Sequence, residues 1–343
     1  MSGNSQRVLI TGGAGMIGSY LVEALATGEQ RRTVSETIVV DNLVNGRREN
    51  IAEFLGARIC FERVDIRDDR RMAELLRGID VVFHLACLGV RHSIHSPREN
   101  HEVNATATLE LLRLAREAGV SRFVYVSSSE VYGTARSVPM TEEHPTFPMT
   151  VYGSSKLAGD CYARAYWETY RYPTVVVRPF NVYGPRCHHE GDSGEVIPKF
   201  MLRAIAGRPM IAFGDGTQRR DFTYVGDTAR GILTAGWAAG VVGETINLGS
   251  GREVSINELG RLVAEIVERP GARLEHAAPR PGDVLRLLAD SSKARLLVGF
   301  EATTPMTEGL RKLRDWYRSL PQTPEELLQR ELERNWEPVR RCD

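Results

Sequence analysis

An α/β fold built on a parallel sheet with both faces covered is what this sequence predicts, and three observations predict it. Short apolar runs of strand length alternate with segments of helical spacing through the first half of the chain. The runs are near-continuously apolar instead of alternating, as strands buried on both faces are. A glycine-rich turn stands between the first run and the first helical segment.

Residues 7–11 (RVLIT) form the first run and stop at glycines, after which Ile17, Leu21, Val22 and Leu25 recur at helical spacing. Residues 37–40 are a second strand, ending at Asp41. Residues 57–64 alternate like a strand, 72–76 are helical, and 80–86 (DVVFHLA) are again a buried strand. A long helical pattern over 103–118 leads to the strand 123–127, and a helix over 152–170 leads to the strand 174–178. After Pro179 glycine and proline become frequent, and helical segments at 198–206, 256–267 and 307–320 alternate with short strands. Residues 324–334 read as a charged surface helix with a solvated face. The expected division is a dinucleotide-binding unit over 1–178 and a smaller, interleaved unit over 179–343, with a return segment near 241–251.

Composition narrows the function classes. The chain has 343 residues, 42% hydrophobic and 26% charged, which suits a sizeable core under an ordinary surface. Lys+Arg and Asp+Glu are 44 each, and this balance argues against a nucleic-acid binder that relies on bulk positive charge. Cys60, Cys87, Cys161, Cys187 and Cys342 are odd in number and scattered, and read as reduced thiols. No run approaches the ~18–20 apolar residues of a membrane span, and MSGNSQRVLI lacks a signal-peptide core. The expectation is a soluble, cytoplasmic protein.

Gly12, Gly15 and Gly18 lie at GxxGxxG spacing between the first strand and helix. The first glycine permits a tight turn, the second lets backbone approach a pyrophosphate, and the third lets helix and strand pack closely. Asp41 closes the second strand roughly 20 residues further on, where a carboxylate binds the adenosine ribose. An acid there disfavours a 2′-phosphate, so the expected cofactor is NAD and the sheet is a Rossmann-like, doubly wound one. A plain tight turn is the alternative.

Tyr152 and Lys156 are four apart on a predicted helix, hence on one face. They follow a strand that ends in Ser127, Ser128 and Ser129, at the carboxyl edge where such sheets bind ligands. A lysine cation beside a phenol lowers the phenol's pKa and makes it a usable base for an alcohol proton, with a serine hydroxyl bonding the same oxygen.

These residues, with GGAGMIG (12–18), DNLVNG (41–46), VDI (64–66), HLA (84–86), SSSEVYG (127–133), YGSSK (152–156), RPFNVYGPR (178–186), GDGTQRRDFTYVGD (214–227), NLGSG (247–251) and RPGDV (280–284), carry a resemblance. The sequence resembles extended short-chain dehydrogenases/reductases of the nucleotide-sugar epimerase, dehydratase and decarboxylase group, in family order along nearly the whole chain. The resemblance implies a catalytic triad of Tyr152, Lys156 and Ser128. It implies cofactor contacts from Gly12, Gly15, Met16, Ile17, Gly18, Asp41, Asn42, Asn45 and Gly46, with Asp65 and Ile66 flanking the adenine. Leu85, Ala86, Asn104 and Pro179 join them. It implies sugar-diphosphate contacts from Asn181, Arg220 and Arg280, with Phe213 near the nucleotide base and Val196, Ile197, Lys199, Tyr224 and Asp283 lining the same site. A homodimer through a four-helix bundle, a UDP-sugar substrate, and neither nucleic acid nor membrane as partner complete the expectation.

The shared chemistry implied is oxidation of the sugar at carbon 4. Glu130 decides the fate of the resulting ketone. Similar dehydratases and UDP-glucuronate decarboxylases place a glutamate here, facing carbons 5 and 6, whereas many simple 4-epimerases carry a small or apolar residue. Ser129 stands where dTDP-glucose dehydratases have an aspartate. A Ser129–Glu130 pair with an NAD-type acid points to a UDP-glucuronic acid decarboxylase giving a UDP-4-keto-pentose, UDP-xylose, or both. A 4-epimerase is the alternative, favoured by LGVRHS (88–93) and by the plain YGSSK; a 4,6-dehydratase and a non-catalytic NAD and nucleotide-sugar binder rank lower. Arg91 and Arg186 are candidates to meet a substrate carboxylate. The cluster Cys187, His188, His189 and Glu190 matches no ligand spacing, so no metal is expected, and His84 reads as a satisfied core histidine.

Overall fold

In the computed structural model, which describes residues 5–28, 34–269, 272–280 and 282–336, seven strands form one wholly parallel sheet. They are β1 (Gln6–Thr11), β2 (Val34–Val40), β3 (Ile59–Glu62), β4 (Val81–His84), β5 (Arg122–Val126), β6 (Thr174–Pro179) and β7 (Thr245–Leu248). Their order across the sheet is β7-β6-β5-β4-β1-β2-β3. The chain therefore winds outwards in one direction from β1 to β3, then returns to β4 on the other side of β1. The loops after β1 and β4 diverge at that reversal and leave a crevice at the carboxyl edge.

Alternate residues of each strand supply two separate cores. Val8, Ile10, Val39, Phe83, Val124 and Val126 face the helices Met16–Thr27 and Val225–Trp237. Leu9, Ile38, Val40, Val82, Phe123 and Val176 face Met72 and Leu75 of the Asp69–Leu75 helix, Leu111 and Leu112 of Ala107–Glu117, and Ala163 of Val151–Tyr170. Both cores being apolar is why the strands read as continuous hydrophobic runs. The helix Val225–Trp237 comes from beyond Pro179 yet covers this sheet, and β7 adds to its edge beside β6 in register Thr245 to Val176.

A third core lies outside the sheet. Ile197, Phe200 and Met201 from Val196–Ile205 pack with Leu259 and Val263 from Ile256–Val267 and with Leu310 and Leu313 from Met306–Ser319. Among the described residues no helix is long and apolar enough to cross a membrane.

Two elements depart from their sequence reading. The helix expected over 103–118 opens with a π turn, Glu102–Thr106. Asn104 within it accepts from Leu88 N at 2.8 Å and donates to Leu88 O at 2.9 Å, and a turn wide enough to present it costs the helix its regular spacing. The surface helix expected over 324–334 is only Pro324–Leu328, started by a Thr323–Glu326 capping box. Leu327 and Leu328 are buried, and the residues after them run back over the sheet's carboxyl edge. Cys342 lies outside the described residues.

Candidate functional site

The cleft at the carboxyl edge has a volume of about 540 Å³. Its floor begins where β1 ends. Gly12 has φ +70°, and a Cβ there would stand 2.7 Å from Ala86 N, so a side chain is excluded both by conformation and by space. A Cβ on Gly18 would lie 2.2 Å from Gly12 O, which is how close helix Met16–Thr27 sits to the turn. Gly15 caps that helix and no side chain caps its first amides. Gly12, Gly15 and Gly18 line the cleft with Met16 and Ile17, so those amides and the positive end of the helix dipole border it.

Asp41 ends β2 beside this turn. Its carboxylate accepts from Ala14 N at 3.0 Å and Leu43 N at 2.9 Å. Burial pushes its pKa up while those two amides pull it back. Asn42, Asn45 and Gly46 line the cleft around it, and a Cβ on Gly46 would touch its oxygens at 2.6 Å. Ile66, Leu85 and Ala86 form the facing wall, with Pro179 beyond the end of β6.

Asp65 is not brought to this wall. Arg67 chelates it at 2.9 and 2.8 Å, Asn42 donates to it at 3.0 Å, and these contacts hold its carboxyl down at about 2; Arg67 lines the cleft in its place. Asn104 also stays out, buried behind the wall, where it ties Leu88, Asn100 and Ser155 together. His84 bridges Thr11 at 2.7 Å and Thr108 at 2.8 Å, and burial draws its pKa to about 3, as a satisfied core histidine requires.

Tyr152 and Lys156 rise from the helix Val151–Tyr170 into the cleft, where Ser128, Ser129 and Glu130 join them. Thr150 caps the helix by accepting from Gly153 N at 3.1 Å. A Cβ on Gly153 would meet Glu130 O at 2.7 Å, so the absence of a side chain brings the helix against the serine turn. Lys156 Nζ donates to Val126 O at 2.6 Å and lies over the Tyr125 ring, and burial pushes its ammonium down. Burial pushes the Tyr152 phenol up; Cys87, Glu130 and Glu195 add to this and a hydrogen bond with Ser128 opposes it. The lowered phenol expected from the lysine is therefore not what the folded chain shows, because desolvation is the largest effect and the nearby acids and thiol reinforce it.

The far end of the cleft is cationic. Arg220 and Arg280 both donate to Asp283 Oδ1, at 2.8 and 2.6 Å. Lys199 Nζ donates to Leu332 O at 2.6 Å and is drawn down to about 8, mainly by burial. Phe213, Val196, Ile197 and Asn181 line the same end, and Asn181 Oδ1 is buried without a hydrogen-bond partner. Arg91 Nε is also buried and unpartnered; burial and Arg280 draw this guanidinium down to about 10, against Glu195 and Glu130.

Arg186 and Tyr224 are not brought to the cleft. Arg186 ion-pairs with Glu23 at 2.8 Å and lies over Tyr20. Tyr224 packs edge-on against Tyr20 and Tyr183, because its strand Thr223–Tyr224 pairs with Val182–Tyr183 away from the cleft. Sequence reading passed over Cys87, Glu195, Asn335 and Trp336, all of which line it. The plain Ala-rich context of Cys87 carries no motif, and Asn335 and Trp336 arrive from a distant segment. Glu195 directly precedes the Val196–Ile205 helix, and burial pushes its carboxyl up.

Residues 8–249 match the NAD dependent epimerase/dehydratase family, and the chain belongs to that family. It is 34% identical to a putative UDP-glucose 4-epimerase of Methanocaldococcus jannaschii over 91% of this chain and 98% of that one. It is 31% identical to UDP-glucuronic acid decarboxylase 1 of Xenopus tropicalis, over 91% of this chain and 72% of that one. The crystal structure of DesIV, a dTDP-glucose 4,6-dehydratase of Streptomyces venezuelae with NAD bound, superposes with a TM-score of 0.86 at 34% identity, covering 91% and 97% of the two chains. The cofactor is NAD, and the site fits it. The Gly12–Gly18 turn leaves room only for backbone, the first helix amides are uncapped, and Asp41 stands where a ribose diol can donate to it. NAD-dependent chemistry on a nucleotide sugar is thus the class of reaction.

Proposed function

We propose that the chain is a UDP-glucuronic acid decarboxylase, which oxidises the sugar at carbon 4 and releases its carboxyl group. The observation that carries this reading is the juxtaposition of Glu130 with Arg91, whose Nε is buried, unpartnered and in a cleft shared with Tyr152. A buried guanidinium N–H without an acceptor is costly, and a 6-carboxylate on the sugar would satisfy it.

On this reading Tyr152 accepts the proton of the 4-hydroxyl, held by its hydrogen bond with Ser128, while Lys156, anchored on Val126 O, supplies the nearby positive charge. Bound NAD supplies the acceptor for the carbon-4 hydride and can return it to the ketone. With a ketone at carbon 4 the substrate is a β-keto acid. The bond between carbons 5 and 6 breaks, its electron pair enters an enolate, and carbon dioxide departs. Glu130, or Glu195 with its raised pKa, then delivers a proton to carbon 5. Arg220 and Arg280 present guanidinium forks to the diphosphate. The same reading places the enzyme in the cytoplasm as a homodimer through Ala107–Glu117 and Val151–Tyr170, where Tyr170 is half exposed.

The test is the mass of the nucleotide-sugar product after incubation with NAD and UDP-glucuronic acid. Loss of carbon dioxide supports the proposal. An unchanged mass with a new anomeric NMR pattern makes the protein a 4-epimerase and withdraws decarboxylation.

A further inference from the structure

The segment after the Pro324–Leu328 helix has neither helix nor sheet to hold it, yet it is fixed to the cleft wall by four tethers. Arg203 chelates Glu331 at 2.9 and 3.0 Å. Glu331 also forms a backbone bridge with Gly191. Lys199 donates to Leu332 O at 2.6 Å, and Asn335 Nδ2 donates to Gly194 O at 2.9 Å. All four contacts land on residues 191–203, the stretch that forms the cleft's cationic end.

Their joint effect is to place Trp336. The indole is only 8% exposed, and it meets the Phe213 ring edge-to-face with centroids 4.6 Å apart and planes at 88°. Both rings line the cleft, with the apolar Ile211 and Ala212 and the amide of Gln218 beside them. A corner of two perpendicular aromatic rings with an amide at hand suits a planar, polar-edged heterocycle better than a sugar or a phosphate.

We propose that Trp336, carried in by the chain's own C-terminal segment, forms the nucleobase subsite together with Phe213, and so sets affinity for the nucleotide half of the substrate. The inference rests on the nucleotide-sugar reading above, which puts the base near Phe213. It adds that the subsite is incomplete without residues 331–336.

Titration of UDP and of dTDP into the NAD-loaded protein tests it, by calorimetry and by tryptophan fluorescence, for the wild type, Trp336→Ala and Trp336→Phe. The expected result is nucleotide binding weakened about tenfold or more in Trp336→Ala, with NAD affinity unchanged. Trp336→Phe should bind nearly as the wild type but lose the fluorescence change that nucleotide produces. Unchanged binding in Trp336→Ala overturns the proposal, and so does tighter binding, which would make the segment a plug. Should Trp336→Ala fail to fold, a full wild-type fluorescence response in Trp336→Phe overturns it equally. If the wild type binds neither nucleotide, the nucleotide-sugar reading itself falls, and the subsite with it.

Discussion

Tyr152 and Lys156 stand one helical turn apart, and the same burial acts on them in opposite senses: it raises the phenol and lowers the ammonium. Desolvation disfavours whichever form is charged, so each residue is biased towards neutrality. The phenol therefore leans on its nearest hydrogen bond, to Ser128, when it takes a proton. Tyr152→Phe keeps the ring and removes the acceptor. Turnover should fall by roughly 10²–10⁴-fold, the usual weight of a positioned acid–base group, while NAD binding measured by calorimetry stays at the wild-type value. A variant with full turnover would remove Tyr152 from the proton transfer.

At the scale of elements, the helix Met16–Thr27 can approach β1 only because Gly18 carries no side chain. An added methyl would sit 2.2 Å from Gly12 O and 2.7 Å from Gly13 Cα, both backbone atoms with little freedom to move. Gly18→Ala should cost about 1–3 kcal/mol in denaturant unfolding and weaken NAD binding, since the helix must back away from the turn that cradles the pyrophosphate. Gly56→Ala, where a Cβ meets nothing within 4 Å, is the control expected within about 0.5 kcal/mol. Equal losses in both would show that the close approach does not matter. Elements were also where the sequence was most legible. Residues 7–11, 80–86 and 174–178 read as buried strands because a residue pattern repeated on two faces is a local property. The π turn at Glu102–Thr106 was not legible, because Asn104 is drawn out by Leu88, a partner its own neighbours do not reveal.

Across the whole molecule, one buried polar network ties the catalytic helix to three other parts. Arg178 on β6 chelates Asp160 on Val151–Tyr170 at 2.8 and 3.2 Å and donates to the Tyr132 hydroxyl at 2.7 Å. Tyr132 donates to Asn247 on β7 at 2.8 Å, and Asn247 donates to Met140 O at 3.0 Å. Asp160 and Arg178 are 0% and 3% exposed. Asp160→Asn leaves a buried guanidinium without its counter-charge and should destabilise the fold by about 3–5 kcal/mol, with turnover falling too because Tyr152 and Lys156 ride on that helix. Glu168→Gln, which removes an exposed pair with Arg171, should change stability by less than about 1 kcal/mol. Chemical denaturation of the two variants compares them directly, and similar stabilities would mean the network does not hold the helix.

What the sequence determined by itself is the parallel sheet, the glycine turn with Asp41, and the pairing of Tyr152 with Lys156. Each rests on short-range constraints: periodicity, the space only glycine leaves, and one turn of helix. Which arginine enters the cleft was decided by the tertiary structure alone. Arg91 enters and Arg186 turns to Glu23, although both stand in equally suggestive motifs. The arrival of Trp336 at Phe213 was decided in the same way, across more than a hundred residues. Where a long side chain points depends on which distant charge or ring the packing sets beside it, and adjacent residues carry no record of that.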